Sequence, residues 1–261
     1  MTVLKSIVVA FSMYSRIPMP RFNWDSKDMK YHLIFFPWVG AVIGALEYGW
    51  YYLVVNLPFN LPYDVSIDRM PFVLVAMAIP IIVTGGFHID GFMDTSDALA
   101  SLGDKEKRLE ILKDSHVGAF AIIRLVTHGL ILAAALYIMD LAGIIAWCFS
   151  FFATRAISGI CVVNYKKAKN DGILFVSSKT ASEKLVMFFL MLQFIACAVY
   201  AGGVYDWYWT ISMVGLAIAV IQYIYTAYSK FGGITGDLAG WFVCKAEVYM
   251  AVCIAILSIF I

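Results

Sequence analysis

Seven stretches of this chain, 31–55, 71–87, 117–139, 141–163, 185–205, 207–226 and 248–261, run on with almost no charged residue. A helix needs roughly 20 predominantly apolar residues to cross the hydrocarbon of a bilayer. Lipid admits helices because each one satisfies its own backbone hydrogen bonds. With 62% of its 261 residues hydrophobic and 14% charged, the chain lies far from the roughly 45–50% apolar and 25% charged of soluble domains. The expected fold is therefore all-α, a polytopic membrane helix bundle of about seven transmembrane helices with the lipid bilayer as its solvent. One integral membrane domain over 1–261 accounts for the whole length, so any chemistry belongs to the bundle or its rims. The opening 1–15 carries Lys5 and is short for a span, so a short N-terminal interfacial helix is expected there. It is ended by Arg16-Ile17-Pro18-Met19-Pro20, where two prolines cannot continue a helix.

A net charge of +1 excludes the basic surface of a nucleic-acid binder. The distribution of charge says more than its balance. Of the 19 lysines and arginines, 15 fall in 16–30, 86–116, 164–184 and 227–246, and the alternate connections hold only Arg69. Basic residues stay on the cytoplasmic side, so these four loops are expected there, with the N-terminus inside and the C-terminus outside. That order brings the polar and Gly-rich loops to one face and predicts a site facing the cytoplasm. The five cysteines, Cys148, Cys161, Cys197, Cys244 and Cys253, form no CxxC pair and read as packing residues.

Seven of the 18 acidic residues lie within 86–116. Spacings of four and three put Asp90, Asp94 and Asp97 within about 60° of one another on a helix. Carboxylates so placed repel one another unless something positive lies between them. Hard oxygen ligands with open positions suit Mg²⁺ or Mn²⁺, which in turn hold phosphate oxygens. A solvated acidic face is the plain alternative. Against it stand the nearness of an apolar span, where charge is costly, and the apolar neighbours Phe92, Met93 and Ala98. Glu106 and Glu110 alternate with basic residues and read as an exposed helix capped by Asp104.

His88 and His116 flank this cluster and are candidates for phosphate contact or proton transfer. Lys113, Asp114 and Gly118 stand at the entrance to the next span. Arg124 and Arg155 lie inside apolar spans, where a charge defaults to a paired or functional role. Arg124 is close enough to the cytoplasmic entrance to reach phosphate, and Glu47 is the expected partner of an arginine. Near the C-terminus, Gly232-Gly233-Ile234-Thr235-Gly236-Asp237 stands on the same face. Its glycines permit a turn whose N–H groups meet an anion, with Asp237 as metal ligand or base.

The run Gly85-Gly86-Phe87-His88-Ile89-Asp90-Gly91, continued by Asp94-Thr95-Ser96-Asp97 and by Leu109-Glu110-Ile111-Leu112-Lys113-Asp114-Ser115-His116-Val117-Gly118, resembles the signature of the cobalamin synthase (adenosylcobinamide-GDP ribazoletransferase) family. Arg16-Ile17-Pro18 is similar to that family's Thr-Arg-Ile-Pro segment, with Ser15 in place of Thr, and Gly232–Asp237 is similar to its Gly-Gly-x-Thr-Gly-Asp segment. Glu47 has no counterpart in the expected pattern.

The resemblance implies the last assembly step of cobalamin, in the cytoplasmic membrane of a prokaryote. Adenosylcobinamide-GDP is joined to α-ribazole or α-ribazole 5′-phosphate and GMP is released, with Mg²⁺ as cofactor. It implies Asp90, Asp94 and Asp97 as metal ligands, and Asp97, Asp114 or Asp237 as the group that takes the hydroxyl proton. His88, Lys113, His116, Arg124, Arg16, Gly232, Gly233, Thr235 and Gly236 are the implied substrate contacts. A homo-oligomer, or association with other late enzymes of cobalamin biosynthesis, is compatible with it. A CDP-alcohol phosphotransferase performs the same displacement but is expected to show Asp-Gly-x-x-Ala-Arg, and here Asp90-Gly91 is followed by Phe92-Met93-Asp94-Thr95. An Asp-rich prenyltransferase is a further alternative. A transporter would carry its charges near the midplane in two related halves, whereas these charges lie at the rims.

Overall fold

The computed structural model describes residues 2–23, 28–56, 69–168 and 183–260. Among these the chain is helical, with a single isolated β-bridge between Lys167 and Ile234. Helix α1 (Thr2–Tyr14) is followed by a 3₁₀ helix, Asp28–Phe35, and by α2 (Phe36–Asn56). Then come α3 (Met70–Thr84), α4 (Phe87–Ala100), α5 (Lys105–Ile111) and α6 (Ala119–Ile138). The remainder is α7 (Leu141–Cys148), α8 (Ser150–Asn164), α9 (Glu183–Thr226), a π-helical turn Ala227–Phe231, and α10 (Gly236–Phe260).

Among the described residues five helices are long and apolar enough to cross a membrane, six if the bent pair α3 and α4 counts as one span. All of the expected apolar stretches are represented, two of them joined into one helical element. The expected stretches 185–205 and 207–226 form one element, α9, whose 44 residues would measure roughly 66 Å if straight. They are not straight. Leu190 packs against Gly159 near the end of α8, and the Tyr228 hydroxyl, just beyond α9, accepts from the Lys166 amide at 3.2 Å at that same end. The helix therefore doubles back, and the reversal falls at Asp206, φ 34 and ψ −106, the one non-helical residue inside it. Phe149 meets Tyr200, Tyr205 and Trp209 around this turn.

The last helix also starts earlier than the apolar stretch 248–261, at Gly236. Charges at Lys245 and Glu247 do not stop it because each is accommodated. Lys245 lies over the rings of Trp241 and Tyr249, and Glu247 accepts from the buried Arg155 guanidinium at 2.6 Å. Glu47 does not take the arginine partner expected for it. Its carboxylate is buried and has no hydrogen-bond partner among the described residues. Arg155 on α8 is taken by Glu247 of α10, and α2 presses its Gly40 and Gly44 directly onto the Phe151 and Cys148 carbonyls. Small residues four apart allow such close helix contact. The five cysteines are free, and Cys148, Cys161 and Cys244 are buried.

Two ends of the bundle differ in character. At one, Asp140 caps α7 through the Gly143 amide and accepts from Tyr208 and Ser258, while Arg69 donates to the Met139 carbonyl. At the other gather Arg16, the α3–α4 turn, the start of α6, 166–168 and the 232–237 turn. Sequence patterning placed those same loops on one face, and the fold brings them together. Parts of the 16–30, 56–70 and 164–184 connections lie outside the described residues.

Candidate active site

Gly85 and Gly86 both take left-handed φ, 67° and 82°, which non-glycine residues seldom adopt. Their amides close α3 on the Ile81 and Ile82 carbonyls, and α4 leaves at 96° to α3. The helix that carries the aspartates therefore departs from the crossing direction of α3, and its carboxylates stay at the polar end of the bundle. Arg16 is tied to the same turn, its amide donating to the Val83 carbonyl at 2.8 Å and its side chain lying across Gly85.

The three aspartates of the stripe meet different surroundings. Asp90, in the first turn of α4, is exposed. Asp94 is half-buried, and its carboxyl is pushed up to about 6 by burial, then by the negative charges of Asp90, Asp237 and Asp97. Asp97 is already engaged, because its oxygens accept from the Gly118 amide and from the Ala121 amide at 2.9 Å. It caps the first turn of α6 from another helix, satisfying amides that have no partner within α6. Gly118 has no side chain because a Cβ there would stand 2.4 Å from the Asp97 carboxylate. The expected assignment of Asp97 as metal ligand and base thus meets a competing structural commitment.

Asp237 comes from far along the chain to take a place beside Asp94. Its main chain packs on Gly91, where a Cβ would lie 2.8 Å from the Asp237 carbonyl oxygen. Gly240, one turn on, lies against the His88 backbone in the same way. Close approach at two glycines is what lets α10 bring a fourth carboxylate to the stripe. In the sequence Gly91 stands only as part of the Asp90-Gly91 motif, with nothing local to mark the long-range contact it makes.

The 232–237 turn is built differently from the expected anion cradle. The amides of Gly232 and Gly233 both donate to the Ala227 carbonyl, and that of Ile234 to the Lys166 carbonyl. Gly233 is there for packing, since a Cβ would collide with the backbone of 166–168. Thr235 accepts from the Leu238 amide at 3.1 Å and so caps α10. Gly236 faces open space, and the Lys105 side chain passes Gly232.

The remaining expected contacts divide by burial. His88 is buried against the Phe36 and Phe87 rings. Arg124 is half-buried one turn inside α6. Lys113, Asp114 and His116 are exposed on the loop before α6. Asp114 accepts from the His116 backbone and pairs with its ring at 2.6 Å, and these bonds hold its carboxyl below the usual range. Asp104 caps α5 through the Lys107 amide as expected.

What the arrangement offers chemically is a group of carboxylates without a soft ligand. Among the described residues no three of them converge tightly enough to enclose a metal ion alone. Mg²⁺ in phosphate chemistry takes one or two carboxylates and completes its shell with water and phosphate oxygens, a requirement that Asp90 and Asp94, one turn apart, fit.

Comparison with known proteins extends over nearly the whole chain. A family model described as cobalamin-5-phosphate synthase matches residues 6–255. A protein of Lachnoclostridium phytofermentans named adenosylcobinamide-GDP ribazoletransferase is 34% identical over 97% of this chain and 94% of its own length. Proteins of the same name from Clostridium perfringens and Listeria monocytogenes are 31% and 29% identical, over 93% and 91% of this chain and 94% and 92% of theirs. No solved structure matches.

Proposed function

We infer that this chain, which belongs to the cobalamin-5-phosphate synthase family, carries out the final assembly step of cobalamin. It transfers the adenosylcobinamide phosphate moiety from adenosylcobinamide-GDP to α-ribazole, or to its 5′-phosphate, and releases GMP. The observation that carries the reading into this structure is the meeting of Asp94 and Asp237, members of two separate motifs, across the Gly91 contact. Neither a CDP-alcohol phosphotransferase nor a transporter accounts for relatives of this name along the full chain. Purified protein given adenosylcobinamide-GDP and α-ribazole should release GMP in step with cobalamin formation. Absence of GMP, or turnover with a CDP-alcohol instead, would overturn the assignment.

In the reaction a ribazole hydroxyl oxygen attacks the phosphorus borne by cobinamide, and the bond from that phosphorus to the GMP oxygen breaks. Such transfer relies on positioning and charge neutralisation more than on covalent help from the protein. Asp90 and Asp94 are proposed to hold Mg²⁺, which supplies positive charge to the diphosphate and to the departing GMP. The hydroxyl proton goes to Asp237. Of the other two candidates, Asp97 is spent on capping α6, and Asp114 is too weak a base while His116 bonds to it. Arg124 is proposed to steady the phosphates. His88, in the first turn of α4, packs that helix against Phe36 of α2.

Metal binding has a test independent of turnover. The Asp94 carboxyl is raised in the folded state, so between the ordinary carboxylate range and about pH 6 the folded protein binds more protons than the unfolded chain. Stability contributed by this group therefore falls as pH rises through that window. Without divalent ions, Asp94→Asn should raise the thermal midpoint relative to wild type more at pH 7 than at pH 5. Mg²⁺ should raise the wild-type midpoint at pH 7 and do much less at pH 5. An equal Mg²⁺ effect at both values would exclude Asp94 as a ligand.

We propose that the end holding these residues faces the cytoplasm of a prokaryotic cell, on the strength of the lysines and arginines gathered there. Lys107 is exposed on α5, so a cysteine in its place, after removal of the native five, should resist an impermeant thiol reagent in intact cells. Labelling from outside would reverse the topology.

A further inference from the structure

Three ionisable side chains meet inside the bundle at mid-depth. Glu47 stands near the middle of α2, Arg155 in the 141–164 span and Glu247 near the middle of α10, and all three are buried. Arg155 is already engaged, since its Nη1 donates to the Glu247 carboxylate at 2.6 Å and to the Phe151 carbonyl at 2.9 Å. Glu247 accepts a further bond from the Thr154 hydroxyl. Glu47 lies within electrostatic reach of Glu247 and of the Cys148 thiol, yet it is 1% exposed and neither of its oxygens has a hydrogen-bond partner among the described residues. Cys244 of α10 and His88 of α4 lie within the same reach of the Arg155–Glu247 pair. Gly44, one turn before Glu47, presses on the Cys148 carbonyl, so the free carboxylate is held in packed interior rather than at a lipid or water surface.

We propose that this cluster binds one monovalent cation of the size of Na⁺, with the unpartnered Glu47 carboxylate as its principal ligand. Two carboxylates set against one guanidinium leave a single negative charge uncompensated, at a depth where charge is costly. One added positive charge balances it. A divalent ion would reverse the imbalance, and Mg²⁺ in addition gives up its water reluctantly. Intramembrane Na⁺ sites are built near the bilayer midplane from oxygen donors, and the free donors of Glu47 are of that type. The Nε of Arg155 also lacks an acceptor among the described residues, and a water in the shell of the ion would supply one. Glu47 stands outside the motifs that carry the family resemblance, and the site is independent of the reaction inferred above. A proton would supply the same single charge, and the test separates the two.

The experiment is thermal unfolding of the purified protein in NaCl against choline chloride at equal ionic strength, with Mg²⁺ saturating throughout so that the aspartate cluster is treated alike in both. Na⁺ should raise the midpoint by several degrees and in a saturable way, as a ligand of the folded state alone does. Because protons compete for the same carboxylate, the rise should be larger at pH 8 than at pH 6. Glu47→Gln should abolish it, and Asp94→Asn should keep it. Equal midpoints in the two salts, or a rise that survives Glu47→Gln, would overturn the proposal. So would a rise lost in Asp94→Asn, which would move the ion to the aspartate cluster. If Glu47→Gln fails to fold, dicyclohexylcarbodiimide, which attacks protonated carboxyls in apolar surroundings, reads the wild type directly through the mass of the peptide holding Glu47. Na⁺ at about ten times its dissociation constant should slow that modification roughly tenfold. Equal rates in the two salts, or no modification in either, would mean that Glu47 exchanges nothing with Na⁺ and would remove the site.

Discussion

Asp94→Asn should lower GMP release by roughly 10²- to 10³-fold, the range found when one electrostatic contact to a developing charge is removed from a preorganised site. The substitution keeps shape and size and removes a single charge. Asp94 is the member of the cluster that feels all three of its neighbours, Asp90, Asp97 and Asp237. It therefore stands where a cation bound to any of them would be held. The same surroundings supply the control. Since burial and like charges disfavour the ionised carboxyl, the amide should leave the thermal midpoint without Mg²⁺ equal to or above that of wild type. An inactive, stable protein that has lost the Mg²⁺-dependent rise in midpoint is the expected result. Activity within a few-fold of wild type at limiting Mg²⁺ would remove Asp94 from the site.

Gly91→Ala tests the contact that assembles the site. A Cβ at this position would lie 2.8 Å from the Asp237 carbonyl oxygen and 2.9 Å from its Cα. Backbone cannot swing aside as a side chain can, so α4 and α10 must separate. A displacement of about 1 Å at reacting groups can cost about 10²-fold in rate, and a loss of that order in kcat/KM is expected although no charged or polar group has been altered. Gly49→Ala is the matching control, because a Cβ on that residue of α2 meets nothing within 4 Å and activity should be retained. Unchanged kinetics in Gly91→Ala would mean that the apposition of Asp94 and Asp237 is not required for turnover.

Several features of the fold could be read from the chain alone because their causes are local. Apolar runs near the thickness of a bilayer specify helices wherever they occur, and the placement of lysine and arginine sorts loops to one face before any helix has found its neighbour. The aspartate stripe is local in the same sense, since residues four and three apart share a face on any helix. Capping of α5 by Asp104 follows from its own next turn. Even so, the hairpin in α9 reads from the chain only as two adjacent runs, its reversal at Asp206 standing three residues beyond Gly202-Gly203.

The partners of the charged groups were decided only by tertiary structure. Nothing in the neighbourhood of Asp97 tells that α6 returns to place the Gly118 and Ala121 amides on its carboxylate. Likewise, a count of buried charges allowed Arg155 to pair with Glu47, yet packing gave it Glu247 from 92 residues away and left Glu47 without a hydrogen-bond partner among the described residues. The glycines of 232–233 carry the same lesson: their amides were available to a phosphate until the turn closed on Ala227 and on 166–168. Sequence by itself determined which segments enter the membrane, which loops share a face and which residues can carry charge-based chemistry. Tertiary structure determined which of those residues are already satisfied. The physical reason is that insertion and helical periodicity depend on residues within a turn or a span, whereas a buried carboxylate or amide takes whatever partner packing brings within 3 Å or so, from anywhere in the chain.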